Sequence, residues 1–423
     1  MALAGIKVLE LAGLAPTPFA GMILADFGAK VVRLDRIVES TPDTMARGKR
    51  SICVDLKQAD GVNVVRKLAK KSDVLIEPFR PGIMEKLGLG PARLLEENPR
   101  LVYVRLSGFG QNGPYRNKAG HDINYIATSG VLSMLRRKDE KPTAPVNLLA
   151  DFAGGGLTSA FGVVTALFER ERSGKGQVID ANMLIQTGVG FSQKSLKIFR
   201  KFTRTSISQD SVIQITIKYE NILQYLQVEG SAYVSSFLFC NRFLMPNPPG
   251  ENILDTAAPF YDTYQTKDGK FVSVGAIEPK FYNRFIEGLK LKLDPGNQMK
   301  MDEWPRTKEI IRHAILQHTR AELSEIFSDD DNCVMPVLDY DEVTSDPHNN
   351  ERRSFFTDPS GKHIPIPAPR LSRTPGTPDR GAQPMVGAHT REVLTEYGFS
   401  GQDINHLLKI GAVHDTNRIH ENI

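Results

Sequence analysis

The sequence predicts an α/β protein with a Rossmann-like, doubly wound parallel sheet and a smaller α+β domain. Short apolar runs typical of buried strands alternate with helical segments over roughly the first 180 residues. That alternation indicates βαβ units and a parallel sheet. A chain of 423 residues is also long enough for two or three domains with a sizeable core.

Composition excludes several classes of protein. Apolar residues make up 40% and charged residues 24%, as in ordinary soluble proteins, and the net charge of +4 is too small to indicate nucleic-acid binding. The scattered Cys53, Cys240 and Cys333 favour a reducing compartment without disulfides or a zinc site. We find no signal peptide and no uncharged apolar run of roughly 18 residues. We therefore expect an intracellular protein that is not integral to a membrane.

Predicted strands and helices follow one another along the chain. The predicted strands are GIKVLE, VVRLDR, SICVDL, DVLIE, LVYVRLS, QVIDANM and FVSVGA. The predicted helices are PFAGMILADFGA, residues 60–70, MEKLGLGPARLLEENP, the segments that begin at Asp151 and Pro279, and residues 305–330 and 388–410. The proline-rich stretch PSGKHIPIPAPRLSRTPGTPDRG between the last two indicates an extended arm.

Basic residues stand at the predicted strand ends. Arg36 closes the second strand, Arg80 follows DVLIE, and Arg47, Lys49 and Arg50 precede the third strand. Open α/β sheets bind ligands at the carboxyl ends of their strands. The set is therefore predicted to hold a phosphorylated carrier such as coenzyme A, and the alternative is that these residues are solvated loop charges.

A glycine motif, GFGQNG, follows the strand LVYVRLS at residues 108–113. It matches G-x-G-x-x-G, but no helix follows it and no acidic residue stands about 20 positions further on, as dinucleotide binding requires. We predict a tight loop that shapes a pocket and not an NAD site.

Two titratable residues open the apolar segments of GHDINYIATSG and NLLADFAGGG. His121 has an ordinary pKa of about 6.5, which suits acid and base roles. Asp151 would need its pKa raised from about 3.9 by apolar surroundings. We predict that they move a proton on and off a carbon next to a thioester, with helix N-terminal N–H groups stabilising the anion. The alternatives are a histidine bonded to its own turn and an aspartate that is only an N-cap.

Eight sequence blocks resemble the α-methylacyl-CoA racemase family, a branch of the family III CoA-transferases. The resemblance covers nearly the whole chain and implies that family's fold, with an interlocked homodimer. The blocks are GLAPTPFAGMILADFGAKVVRLDR, RGKRSICVDLK, EPFRPGIMEKLGLGP, RLSGFGQNGP, GHDINY, NLLADFAGGG, GKGQVIDANM and GAIEPKFY.

The resemblance also implies residue roles. It makes His121 and Asp151 catalytic, with Glu278 and Asn147 orienting the pair. It implies racemisation of 2-methylacyl-CoA thioesters without a cofactor or metal, in branched-chain fatty acid and bile-acid metabolism, in mitochondria, peroxisomes or both, although the C-terminal residues are not an SKL-type signal. The implied CoA-contacting residues, together with Arg80 from the strand ends, are Arg36, Val54, Asp55, Leu56, Lys57, Gly120, Asp122, Ile123, Asn124 and Tyr125.

One segment departs from the family pattern. Residues 184–227 have no counterpart and are expected to be disordered or an alternative exon. Two alternative functions follow: a CoA-transferase with Asp151 as nucleophile, and an isoform inactivated by the insert. The predicted domains are 1–183 (CoA-binding), 184–227 (insert), 228–254 (linker helix), 255–345 (small domain) and 346–423 (return arm and C-terminal helix on the large domain).

Overall fold

The computed structural model describes residues 1–36, 44–112, 115–182, 222–223, 227–240, 245–328, 332–358, 361–378 and 383–416. The chain forms two compact units: Met1–Ser129, Pro145–Val234 and Phe356–Ile423 in the first, and Gly130–Ala144 and Ser235–Phe355 in the second. The domain boundaries drawn from the sequence stay a prediction. The predicted insert lies outside the described residues except for residues 222–223 and 227.

The described residues contain these strands and helices. The strands are β1 Lys7–Leu11, β2 Lys30–Asp35, β3 Lys49–Val54, β4 Val74–Glu77, β5 Val102–Ser107, β6 Val178–Asn182, β7 Ile222–Leu223, β8 Tyr261–Gln265, β9 Phe271–Gly275, β10 Val334–Pro336, β11 Phe355–Thr357, β12 His363–Pro365 and β13 Val413–His414. The α-helices are α1 Pro16–Asp26, α2 Ala59–Ala69, α3 Ile83–Lys86, α4 Pro91–Glu97, α5 Asp122–Thr128, α6 Thr158–Ser173, α7 Gln227–Val234, α8 Ser236–Cys240, α9 Pro279–Gly288, α10 Trp304–Ile315, α11 Arg320–Ile326, α12 Pro347–Arg352, α13 Thr390–Glu396 and α14 Gly401–Lys409. A π-helix, Leu148–Leu157, runs directly into α6.

An eight-stranded sheet forms the centre of the first unit. Its strand order is β13-β3-β2-β1-β4-β5-β6-β7, and the neighbours run parallel except for β13, which is antiparallel to β3. The chain progresses outward on both sides of β1 and β4, so these strands form the topological switch point of a doubly wound fold. The predicted fold class is confirmed.

Helices cover both faces of this sheet, which is why its strands are apolar on both sides. On one face Leu9 and Leu75 belong to a core that includes Val393 of α13. On the other face Val8 and Val104 belong to a second core, together with helical residues of α1 and α6. The strand ends are thereby held in fixed positions, and the loops that follow them form the site described below.

The second unit has its own small sheet and core. Strands β10, β9 and β8 form an antiparallel sheet in that order. Phe260, Phe285 and Trp304 are buried in its core, and the Trp304 ring packs edge-on against Phe260 with 5.8 Å between centroids. This arrangement is the predicted α+β domain, and Pro279 begins α9 directly after Glu278 as predicted.

Three predicted helices are each divided in two. The segment MEKLGLGPARLLEENP forms α3 and α4, because Gly88 between them has a positive φ of 69° that ends the first helix. Residues 305–330 form α10 and α11, and the Thr319 side chain caps the second. Residues 388–410 form α13 and α14, where Gly398 has a φ of 83° and Ser400 caps the second helix.

The predicted helix from Asp151 begins earlier and in another form. The π-helix and α6 together span Leu148–Ser173, 26 residues that are long and apolar enough, by length and composition alone, to cross a membrane. In the most apolar part of this segment 39% of the residues are buried inside the protein. Core helices of globular proteins pass the same test, so the indication of a membrane span is weak.

Candidate active site

A cavity of about 660 Å³ lies at the carboxyl ends of the strands on both sides of the switch point. The loops after β1, β2, β4 and β5 line it. Doubly wound folds bind their ligands at this position. His121 and Asp151 both line this cavity, so the structure brings the predicted pair together.

A second cavity, of about 740 Å³, lies in the second unit. Its basic residues are paired with acids: Lys308 with Asp262 at 2.5 Å, and Lys138 with Glu251 at 3.2 Å. Those cations are already neutralised, and neither His121 nor Asp151 lines this cavity. We therefore take the cavity of about 660 Å³ as the candidate active site.

His121 is the N-cap residue of α5, with an extended backbone and an exposed side chain. Its backbone N–H donates to the Asn124 side chain at 3.0 Å, and the Asn124 N–H donates to the His121 carbonyl at 2.8 Å. These two bonds fix the entry into the helix, and His121 lines the cavity.

Asp122 links the His121 segment to the Asp151 segment through its side chain. Its Oδ2 accepts the backbone N–H of Ala150 at 2.6 Å and that of Asp151 at 2.9 Å. The side chain is 2% exposed, and burial raises the pKa of its carboxyl group while the two N–H groups lower it. The resemblance implied only a CoA contact for this residue, so its bonding to the π-helix was missed.

Asp151 lies in the first turn of the π-helix and is half-buried. Burial raises the pKa of its carboxyl group, and the negative charge of Asp122 raises it further, whereas Asn147 and the charge of His121 lower it. The direction is the one that the apolar surroundings predicted. A raised pKa allows this carboxyl group to hold a proton at a higher pH than an ordinary aspartate does.

The two predicted orienting residues stand in different places. Asn147 precedes the π-helix, and its Nδ2 lies 3.5 Å from Asp151 Oδ2, at the limit of a hydrogen bond. Glu278 is the N-cap residue of α9 in the second unit. Its predicted role of holding the His121 ring stays a prediction.

Aromatic packing shapes the cavity wall near His121. The Tyr125 hydroxyl donates to the Gly120 carbonyl at 2.5 Å, and the Tyr125 ring packs edge-on against Phe109 at 4.9 Å between centroids. A Cβ on Gly108 would lie 2.3 Å from the Tyr125 hydroxyl, so only glycine fits there. The GFGQNG motif is thus a pocket-shaping loop, as predicted.

Glycine in the π-helix has a packing role as well. A Cβ on Gly156 would lie 2.7 Å from the Phe19 ring and 2.8 Å from the Pro16 carbonyl oxygen of α1. The glycine run therefore lets α1 approach the π-helix. Asp151 lies inside the first turn of that helix, whose N-cap residue is Asn147. π-Helical turns are rare and occur often at functional sites.

Four cations line the cavity. Arg36 and Arg80 are there as predicted, and sequence reasoning missed Arg116 and Lys118, whose signal is their position in the loop before His121. Among the described residues none of the four forms an ion pair with a carboxylate.

The basic cluster before β3 is not part of the site. Arg47 pairs with Asp26 at 2.6 Å, buried Lys49 pairs with Glu10 at 2.8 Å, and Arg50 pairs with Glu392 and Glu396. The prediction that this cluster converges with Arg36 and Arg80 is wrong. These three residues lie at the amino end of β3, whereas the cavity lies at the carboxyl ends.

The remaining predicted CoA residues are distributed around this edge. Val54 and Leu56 line a space of about 20 Å³ that shares Arg36 with the main cavity. Asp55 accepts from the N–H of Lys57 at 2.9 Å, and Lys57 is exposed. Gly120, Asn124 and Tyr125 line the main cavity, whereas exposed Ile123 and buried Asp122 do not. Their contacts with CoA stay a prediction.

Comparison with known proteins identifies the family. The profile of CoA-transferase family III matches residues 3–198 and 221–390, most of the chain. The chain belongs to CoA-transferase family III. The unmatched residues between the two ranges fall within the segment 184–227 that the sequence predicts to be an insert.

Relatives in this family cover nearly the full chain. The human alpha-methylacyl-CoA racemase is 50% identical over 96% of both chains. The beta subunit of succinyl-CoA–L-malate CoA-transferase from Chloroflexus aurantiacus is 30% identical, also over 96% of both. The crystal structure of a CAIB/BAIF family protein from Brucella suis, 22% identical, superposes with a TM-score of 0.72 over 93% of this chain and 99% of that one. The predicted resemblance is confirmed, and the solved structure supports the fold alone.

Proposed function

We propose that this family III protein is a racemase that interconverts (2R)- and (2S)-2-methylacyl-CoA thioesters. The observation that carries the proposal is the pair His121 and Asp151, which line one cavity at the switch point of the sheet. The 50% identity to the human racemase supports the substrate class. Branched-chain fatty acyl and bile-acid-type thioesters are the substrates that we propose.

The proposed reaction needs two groups on opposite sides of the α-carbon. One group, unprotonated, removes the α-proton, and the C–H electron pair moves into the thioester to give an enolate. The other group, protonated, then delivers its proton to the opposite face, and the two exchange roles when the other enantiomer reacts. No electron pair leaves the substrate, so the reaction needs no acceptor beyond the CoA thioester itself.

The surroundings of the pair support these roles. A histidine has an ordinary pKa of about 6.5, near neutral pH. Burial and the charge of Asp122 raise the pKa of Asp151, and a general acid or base is most effective when its pKa lies near the operating pH. Burial and the charge of Asp122 thus favour the protonated form of Asp151, which is the form that a general acid needs.

The cations of the cavity support CoA as the carrier. Arg36, Arg80, Arg116 and Lys118 line the same cavity as the pair. Phosphate groups are bound by arginine and lysine through charge-assisted hydrogen bonds. We propose that these residues bind the phosphates of CoA and leave the acyl thioester next to His121 and Asp151.

We also propose a homodimer. The π-helix and α6 together expose an apolar row of Leu157, Phe161, Val164 and Phe168, in which the two phenylalanines are 66% and 68% exposed. These positions recur at three- and four-residue intervals, so they form one stripe of the helix. Such stripes mark interaction surfaces. Mitochondrial or peroxisomal location stays a prediction.

The second candidate is a CoA-transferase in which Asp151 is the nucleophile. Its support is the 30% identity to the Chloroflexus transferase subunit. A transferase of this kind has no need for a base at His121, which the cavity nevertheless presents. We therefore favour racemisation.

The test follows one enantiomer of a 2-methylacyl-CoA in deuterated water without an acceptor acid, by NMR and chiral analysis. We expect α-deuterium uptake with inversion, lost in His121→Ala and in Asp151→Ala. His313→Ala, at an exposed histidine of the second unit, is the matched control and keeps full activity.

Absence of exchange in a chain that still binds CoA would contradict the proposal. An acyl-enzyme trapped with hydroxylamine at Asp151 in the presence of a carboxylic acid acceptor would then identify the transferase. CoA binding without either reaction would identify an inactive isoform.

A further inference from the structure

Asp122 connects two segments that are 29 positions apart in the sequence. It stands in the first turn of α5, directly after His121. Acidic residues are common there because they interact favourably with a helix N-terminus. This side chain instead accepts the N–H groups of Ala150 and Asp151 at the start of the π-helix. Asp122 thus bonds the His121 segment to the Asp151 segment.

The bonding uses only one of the two carboxylate oxygens. Asp122 Oδ2 accepts both N–H groups, whereas Oδ1 is buried without a hydrogen-bond partner among the described residues. A buried carboxylate with an unpaired oxygen is costly for folding, so its presence calls for a reason. An asparagine would accept the same two N–H groups without bringing a charge into the site.

We propose that Asp122 is a positioning residue that holds the Asp151 backbone next to His121 and places its own negative charge beside the Asp151 carboxyl group. The inference rests on the proposed racemase function. Two carboxylates in a partly buried site resist being ionised together. Asp122 accepts two backbone N–H groups, which favour its ionised form, and its charge raises the pKa of Asp151.

Several other charges surround Asp151. From α5 these are His121, which lowers the pKa of Asp151, and Tyr125, whose own pKa is raised to about 12 chiefly by burial and also by the charge of Asp151. The other charged groups lining the cavity are Arg36, Arg80, Arg116 and Lys118. Of these groups, His121 acts on Asp151 and favours its ionised form. The charge of Asp122 has the opposite effect, so its removal has a predictable direction.

The pH profile of kcat/KM for the exchange reaction tests the inference in Asp122→Asn. The variant keeps an oxygen for the two N–H groups and loses the charge. We expect the acid limb of the bell-shaped profile to move to lower pH, because the doubly protonated pair then loses its first proton more readily. The loss of activity at the optimum is expected to be smaller than in Asp122→Ala. In Asp122→Ala, which removes the hydrogen bonds as well, we expect kcat to fall about a hundredfold through misplacement of Asp151.

Asp180→Asn is the matched control. Asp180 is also a buried carboxylate whose one oxygen accepts a backbone N–H, from Gln111 at 3.3 Å, while the other has no partner in the described part of the chain. Burial raises its pKa to about 6, but it is not among the charges that act on Asp151. We expect this variant to leave the acid limb in place.

An acid limb that stays in place in Asp122→Asn, with or without a loss of activity, would overturn the inference, since a merely structural role lowers activity equally at every pH. An acid limb that moves equally in Asp180→Asn would overturn it as well. Failure of the proposed function is a separate result, because the unmodified protein would then show no α-exchange at any pH.

Discussion

Two sets of basic residues at opposite ends of the sheet differ in what they bind. Arg47, Lys49 and Arg50, at the amino end of β3, are each bonded to carboxylates of the protein itself. The second set, at the carboxyl ends, lines the cavity and forms no ion pair among the described residues; it consists of Arg36, Arg80, Arg116 and Lys118. In the sequence both sets have the same character, that of basic residues near strand ends.

The end of the strand at which a cation lies therefore distinguishes the two sets. Cations at the amino end of β3 bond to carboxylates of the protein, and those at the carboxyl ends line the cavity. Cations that remain near one another without carboxylate partners repel, and the cost is recovered when an anion binds. Cations bonded to carboxylates stabilise the fold and are neutral toward an incoming phosphate. The comparison makes opposite predictions for substitutions in the two sets.

The largest effect is expected for Lys49→Met. It leaves Glu10 charged and buried, and removing one partner of a buried ion pair costs about 3–5 kcal/mol of unfolding free energy. Urea unfolding measures this loss, and the double variant with Glu10→Leu is expected to recover most of it. The Kd for CoA of the folded fraction should stay unchanged. A weakened Kd in fully folded Lys49→Met would place this residue in the binding set.

The next effect is expected for Arg36→Ala combined with Arg80→Ala. Each lost charge-assisted bond to phosphate raises the Kd for CoA about tenfold, because such bonds contribute roughly 1.5 kcal/mol or more. Calorimetric titration with CoA at low and high salt measures the change, and the salt dependence should weaken. Unfolding free energy is expected to be unaltered. An unchanged Kd would remove these two residues from the site.

The smallest effect is expected for Arg50→Ala. Its partner Glu392 has a side chain that is 61% exposed, so solvent screens the pair and its loss costs about 1 kcal/mol or less. Urea unfolding and CoA titration of the same preparation measure both quantities. We expect a slight drop in unfolding free energy and no change in the Kd for CoA. Unaltered unfolding free energy with a raised Kd for CoA would contradict the division between the two sets.

Local patterns predicted the sheet well. The strands from GIKVLE to QVIDANM are short segments rich in apolar residues between turn residues, a pattern typical of strands buried in a parallel sheet. His121 and Asp151 were also predictable, because each stands at the start of an apolar segment and their family blocks are long.

The ion pairs and the link through Asp122 were not predictable. Arg50 is bonded to Glu392 and Glu396, which follow it by 342 and 346 positions. Asp122 is bonded to N–H groups of another segment, and backbone donors leave no signal in the sequence. The π-helix was missed because the apolar residues and glycines at 148–157 are equally compatible with an α-helix. Partners that are distant in the chain become visible only when the fold brings them together.

The strand β13, which comes late in the sequence, forms one edge of the eight-stranded sheet, next to β3. Val413 and His414 pair with Val54 and Cys53 of β3, and this pairing covers an edge whose other residues were translated some 360 positions earlier. An uncovered strand edge can pair with strands of other molecules. By pairing with Val54 and Cys53, a segment from the far end of the described chain removes this part of the β3 edge from such contacts.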